Sequence, residues 1–131
     1  MLKGSCLCGA VKYEVRGELG PIVFCHCSIC RKVNGSAFSV GAAVEPQDFS
    51  IVEGEDSLSF FQSSAGARRF FCRACGSPLF SRREGNPEII RLRIGSLDSP
   101  VPSKPVGHIF VSEKADWFDI GDELPQYAER P

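Results

Sequence analysis

Seven cysteines in three tight clusters constrain this chain more than any other feature: Cys6 and Cys8, then Cys25, Cys27 and Cys30, then Cys72 and Cys75. Cys-x-Cys and Cys-x-x-Cys spacings let neighbouring thiolates reach one ion. The count is odd, so any full disulfide scheme leaves one thiol over. The clusters are far apart in sequence, so the chain must fold back on itself for any two to share an ion. Divided as four plus three, the thiols supply one closed tetrahedral site and one site with a vacant ligand position. A closed site holds a fold together, and an open one can do chemistry.

Size and charge narrow the field. The 131 residues are 43% hydrophobic, enough for one domain (1–131) with a modest core. Fifteen basic residues against sixteen acidic ones give a net charge of -1, which exerts no strong pull on nucleic acid or anionic lipid. No apolar run approaches the roughly 20 residues that span a bilayer. The opening Met1-Leu2-Lys3-Gly4-Ser5-Cys6 has no apolar signal-peptide core, so a cytoplasmic location is the expectation. In that reducing setting closely spaced cysteines are metal ligands more often than disulfides.

The rest of the chain alternates like a β protein. Val11, Tyr13 and Val15 interleave with Lys12, Glu14 and Arg16, the period of a half-buried strand. Further strand-like runs cover residues 37–44, 49–52, 58–62, 68–72, 79–82, 89–97 and 108–111; in the longest, Ile90, Leu92 and Ile94 oppose Arg91 and Arg93. Thirteen glycines and nine prolines punctuate the runs. Short helices are expected at 28–33, with Ser28 as N-cap, and as a single turn at 46–49. The proline-rich stretch 99–105 reads as a rigid crossing loop, and the acidic tail 116–123, with Trp117 and Phe118, as packing on the body.

Cys6-Leu7-Cys8-Gly9 and Cys72-Arg73-Ala74-Cys75-Gly76 together offer four thiolates, a staple between the first strand and a turn in the second half. Cys25-His26-Cys27-Ser28-Ile29-Cys30 offers three, and three readings stay open for it. It is an open zinc site, a second zinc closed by a ligand from elsewhere, or an iron–sulfur site, although its spacing does not match the common ferredoxin patterns. His26 points away from its two neighbours if the segment is extended. Arg31 and Lys32 stand beside the cluster, either as contacts for a substrate's carboxylates or as solvated charges. Of each aromatic pair, Phe60-Phe61 and Phe70-Phe71, one ring is expected in the core. Arg68-Arg69 and Arg82-Arg83 read as solvated faces, and His108 as a satisfied core or edge histidine.

These motifs carry a family resemblance. Gly4-Ser5-Cys6-Leu7-Cys8-Gly9, Cys25-His26-Cys27-Ser28-Ile29-Cys30-Arg31-Lys32 and Phe71-Cys72-Arg73-Ala74-Cys75-Gly76-Ser77 resemble the glutathione-dependent formaldehyde-activating family, which also embraces the centromere protein V domain. The ending resembles it too: His108-Ile109-Phe110-Val111, Ala115-Asp116-Trp117 and Leu124-Pro125. The resemblance implies a mainly β fold of the β-tent type, short antiparallel strands stapled by zinc with few helices. It implies two zinc ions per chain: a structural one on Cys6, Cys8, Cys72 and Cys75, and a catalytic one on Cys25, Cys27 and Cys30. The implied activity is that of a carbon–sulfur lyase joining formaldehyde to glutathione, a small-molecule thiol, with no nucleic-acid or membrane partner. A non-catalytic zinc module for a protein partner and a thiol redox sensor are the competing readings. The chain is compact, which leaves the specific substrate open because loops usually set it.

Overall fold

The computed structural model describes residues 1–131, and the alternation of the sequence becomes ten strands and one helix. In chain order these are β1 (Leu2–Ser5), β2 (Lys12–Val15), β3 (Val23–Cys25), α1 (Ser28–Asn34), β4 (Ser39–Val44) and β5 (Phe49–Glu53). There follow β6 (Leu58–Ser64), β7 (Ala67–Cys72), β8 (Pro78–Arg83), β9 (Asn86–Arg93) and β10 (Gly107–Ile109). A three-stranded sheet has the order β1-β2-β5, and a seven-stranded sheet the order β10-β3-β4-β9-β8-β7-β6. All pairings are antiparallel except β10 with β3. The fold is mainly β, in agreement with the alternation.

The core lies between the sheets. Val11, Tyr13 and Val15 from the small sheet are buried against Val44, Leu79, Phe80, Ile90 and Leu92 from the large one. Each such side chain taken from water stabilises the fold by about 1.5–3 kcal/mol. The period of two therefore commits one face of β9, carrying Ile90 and Leu92, to the core and sends Arg91 and Arg93 to the other.

Several expectations change. Strand β9 ends at Arg93 rather than running to residue 97, because Ile94–Ser96 winds into a 3-10 turn. That turn brings the Ser96 hydroxyl 2.6 Å from the Tyr13 hydroxyl and satisfies a buried phenol. The expected turn at 46–49 is a 3-10 helix over Pro46–Asp48, and Phe49 already belongs to β5. Strands β1 and β3 carry no alternation long enough to read in sequence. Phe60 and Phe61 are both exposed on the edge strand β6, so neither ring of that pair enters the core; Phe70 stacks on Phe80 instead. Trp117 also stays at the surface, 68% exposed, while Phe118 packs edge-on against Phe38.

Gly54 shows how closely the small sheet's connections are fitted. Its φ is +79°, and a Cβ there would lie 1.8 Å from the carbonyl oxygen of Ala10. The clash is with backbone, which cannot swing aside. We predict that Gly54→Ala destabilises the protein by about 2–3 kcal/mol or more, read as a lowered urea midpoint with the m-value unchanged.

Candidate metal centres

The four-thiol group forms where the two sheets meet. Cys6 follows β1, Cys72 closes β7, and Cys8 and Cys75 sit in the turns just beyond. The two turns are alike: the Gly9 amide donates to the Cys6 carbonyl at 3.1 Å and the Gly76 amide to the Cys72 carbonyl at 2.7 Å. Gly76 has φ +80°, the left-handed conformation expected of it. All four sulfurs lie within 4.8 Å of one another, with Cys6–Cys8 at 3.6 Å and Cys8–Cys72 at 3.8 Å. A tetrahedral ion with metal–sulfur bonds of about 2.3 Å requires sulfurs about 3.8 Å apart, so the donors fit zinc. The Val11 amide points at Cys6 Sγ at 3.3 Å. The Ser77 hydroxyl and then its amide hold the Cys75 thiol down to about 5, which favours the ligating thiolate.

The three-thiol group is assembled differently. Cys25 ends β3, Cys27 is the N-cap of α1, and Cys30 lies in its first turn; their sulfurs are within 4.8 Å of one another. Cys27, not Ser28, caps the helix: its sulfur accepts from the Cys30 amide at 3.3 Å. Three thiolates this close repel one another. Hydrogen bonds from Cys25 and then Cys27 hold Cys30 far below the usual thiol range, and those to Cys27 and then Cys30 push Cys25 far above it. Only a cation lets all three ionise together, so this donor set too fits a metal. His26 turns to the opposite side of the strand, is fully buried, and ligates nothing.

A cleft of about 450 Å³ opens on Cys25, Cys27 and Cys30, within the range of small-molecule sites. Its floor is one face of the large sheet. Across that face the register sets Arg69 of β7 beside Ser81 of β8, Ser81 beside Arg91 of β9, and Arg91 beside Ala43 of β4. Arg93, two residues on, pairs with Gly41. Arg69 Nη1 lies 3.8 Å from Cys30 Sγ, and its Nε donates to Ser63 at 3.0 Å. Arg83 and, from the C-terminal segment, Arg130 complete the cationic lining. Arg31 and Lys32 do not line this cleft: Lys32 is exposed, and Arg31 is half-buried with its Nε unpartnered. Of the pairs read as solvated faces, Arg68 and Arg82 are exposed away from the cleft, Arg69 is half-buried and lines it, and Arg83 lines it while remaining exposed. The one sequence signal for these arginines was Arg91 and Arg93 opposing Ile90 and Leu92.

Behind the thiols a chain of hydrogen bonds runs from the buried His26 and His108 out to the exposed Asp122. His26 Nε2 meets His108 Nδ1 at 2.8 Å, and His108 Nε2 meets the Asp122 carboxylate at 3.0 Å. A carboxylate only accepts, so His108 carries its proton on Nε2. Its Nδ1 then accepts from His26 Nε2–H, which leaves His26 Nδ1 a bare acceptor without a partner. Burial, helped by the neighbouring His108 and Lys114, lowers the His26 pKa and keeps the ring neutral. The chain fixes the backbone between Cys25 and Cys27 from the rear. We predict that His108→Ala lowers the thermal midpoint by roughly 5–15 °C and loosens metal at the three-cysteine centre by about 10–100-fold. Melting curves and chelator competition measure the two effects.

The comparisons agree with this geometry. Residues 1–113 match the family described as "Glutathione-dependent formaldehyde-activating enzyme". A Halomonas elongata protein named "Putative glutathione-dependent formaldehyde-activating enzyme" is 31% identical over 92% of this chain and 81% of its own length. A protein of the same name from Aspergillus flavus is 29% identical over 94% of this chain; the match spans only 56% of that longer protein. The crystal structure of a Rhodobacter sphaeroides protein superposes with a TM-score of 0.65 at 29% identity, covering 95% of this chain and 98% of that one. The match includes all three cysteine clusters, and on it the chain belongs to the glutathione-dependent formaldehyde-activating enzyme family.

Proposed function

We propose that this protein is a zinc-dependent carbon–sulfur lyase that joins formaldehyde to glutathione or a closely related thiol and reverses that reaction. One observation carries the reading: three thiols gathered at the end of a cleft, with no fourth protein ligand among them. Cys6, Cys8, Cys72 and Cys75 take the structural zinc, and Cys25, Cys27 and Cys30 the reactive one. Cys25, Cys27 and Cys30 would hold the zinc, which when bound would favour the thiolate form of a substrate thiol near neutral pH.

The residues of the chain supply position and charge. Cys25, Cys27 and Cys30 leave the assembly net negative, which suits it to holding sulfur rather than polarising a carbonyl. Arg69, against Cys30 Sγ, offsets that charge, and Arg93 faces the same three cysteines. The thiolate sulfur gives its electron pair to the aldehyde carbon and a C–S bond forms. The carbonyl π pair moves to oxygen, which takes up a proton to replace the one the thiol released. The product is the S-hydroxymethyl hemithioacetal, and the reverse path breaks the same C–S bond. A cytoplasmic setting, where such a thiol is abundant and reduced, fits seven free cysteines.

Formaldehyde and thiols also combine unaided, so the test is a rate. Exchange between free and S-hydroxymethyl glutathione, followed by NMR with and without enzyme, should be faster than the spontaneous exchange in proportion to enzyme. Exchange at the spontaneous rate with protein holding two zinc ions per chain would sink the proposal.

A further inference from the structure

The two edges of the large sheet are finished differently. At β10 the chain covers its own edge: the His108 amide donates to the Pro125 carbonyl and the Tyr127 amide to the His108 carbonyl, both at 2.9 Å. At the other edge stands β6. From Ser59 to Ser64 its backbone bonds to β7 alone, so the outward amides and carbonyls of this stretch have no partner within the chain. Such an edge is a template for another strand, and proteins that stay single blunt it with proline, with charge or with a cover. Leu58-Ser59-Phe60-Phe61-Gln62-Ser63-Ser64 has none of these. A register shift between Gln62 and Ser64 confines the regular part to residues 58–62. Phe60 and Phe61 alternate to opposite faces and are 47% and 66% exposed, so each side of the strand presents an aromatic ring.

Charge decides what fits beside this edge. The strand is neutral, but one of its ends is acidic and the other basic. Glu55 and Asp56, both exposed, precede it, and the exposed Arg68 pairs with Gln62 at its far end. The close ion pairs of the protein, Lys12–Glu53 and His108–Asp122, involve none of the three. A second copy turned about a twofold axis lays its own β6 antiparallel to the first. Each acidic end then lies towards the other copy's Arg68, and no like charges oppose each other along the strand. A parallel copy would set acid beside acid. Because β10 is already covered, the joint closes at two chains.

We propose that the protein forms a dimer of identical chains joined edge to edge through β6, with residues 58–62 antiparallel to their copies and the two large sheets made continuous. The Phe60 and Phe61 rings of the two chains then form cross-strand aromatic pairs shielded from water. The joint uses none of the seven cysteines, so it stands or falls independently of the lyase reading.

Sedimentation of the zinc-loaded protein should show a reversible dimer with a Kd of about 1–100 μM. The outward amides of β6 should exchange hydrogen more slowly as the concentration rises. Phe61→Lys changes a side chain that is mostly in water, so the chain keeps its fold, and it should weaken the dimer by at least about tenfold by setting lysines against each other. Glu55→Lys combined with Asp56→Lys in one variant, and Arg68→Glu in another, should each weaken self-association by at least about tenfold at low salt. An equimolar mixture of those two variants restores unlike charges at both ends of the joint and should dimerise as the wild type does. A chain that stays monomeric up to about 1 mM overturns the proposal, even if its β6 edge is taken by a different protein. So does a dimer whose β6 amides stay unprotected, or a mixture that does not recover.

Discussion

Replacing Cys72 with serine should leave the chain unfolded. Cys72 is fully buried in the core and is one of four clustered sulfurs that, sharing an ion, would tie the loop after β1 to the loop after β7. A structural zinc contributes on the order of 10–16 kcal/mol to folding, whereas whole domains are stable by only about 5–15 kcal/mol. Losing the ion therefore removes as much free energy as the fold has to spare. Circular dichroism should lack the β signal, and the purified protein should hold little zinc. Cys75→Ser should do the same, and because Cys75 is only half-buried it separates metal loss from the cost of a buried hydroxyl. A Cys75→Ser protein that melts like wild type would refute the structural role.

Cys27→Ser should have the opposite profile: a folded protein that does not turn over. Serine is a stronger N-cap than cysteine, and its hydroxyl can accept the Cys30 amide as the sulfur does now. Helix α1 therefore survives, and the change falls on the ligand alone. Zinc content should drop from two ions per chain to about one, and exchange of formaldehyde with glutathione should fall at least about a hundredfold. The thermal midpoint should move by no more than a few degrees, because the four-cysteine staple is untouched. A variant that retains full zinc and full activity would remove Cys27 from the mechanism. Taken together, the two substitutions test the proposed division between a centre that holds the fold and a centre that reacts.

The partition of the cysteines was readable because thiols two or three residues apart can reach one ion whatever the rest of the chain does. The same holds for β2, where the alternation of Tyr13 and Val15 with Lys12 and Glu14 fixes its buried face. By contrast, Ser28 looked like the cap of α1 by residue type, yet Cys27 takes that place because β3 delivers it to the helix start. Phe60, Phe61 and Trp117 were expected to seek burial, but an edge strand and a surface turn leave them in water. Arg31 and Lys32 are neighbours of Cys25, Cys27 and Cys30 in sequence and not in the cleft, because helix α1 turns them off its wall.

The arginines are the clearest case. Arg69, Arg83, Arg91, Arg93 and Arg130 are spread over sixty-two positions, and nothing local connects them. Arg91 and Arg93 could be assigned to the face opposite Ile90 and Leu92, but what that face meets is set by strand pairing. A one-residue slip in β8 would turn Ser81 and Arg83 from the cleft into the core. Residue type and spacing alone group the seven thiols as four and three on a β scaffold, because short covalent spacing controls which donors can share an ion. Which charges face those thiols is set by the folded sheet, because the side on which a residue stands, and its neighbours there, depend on the register of strands distant in the chain.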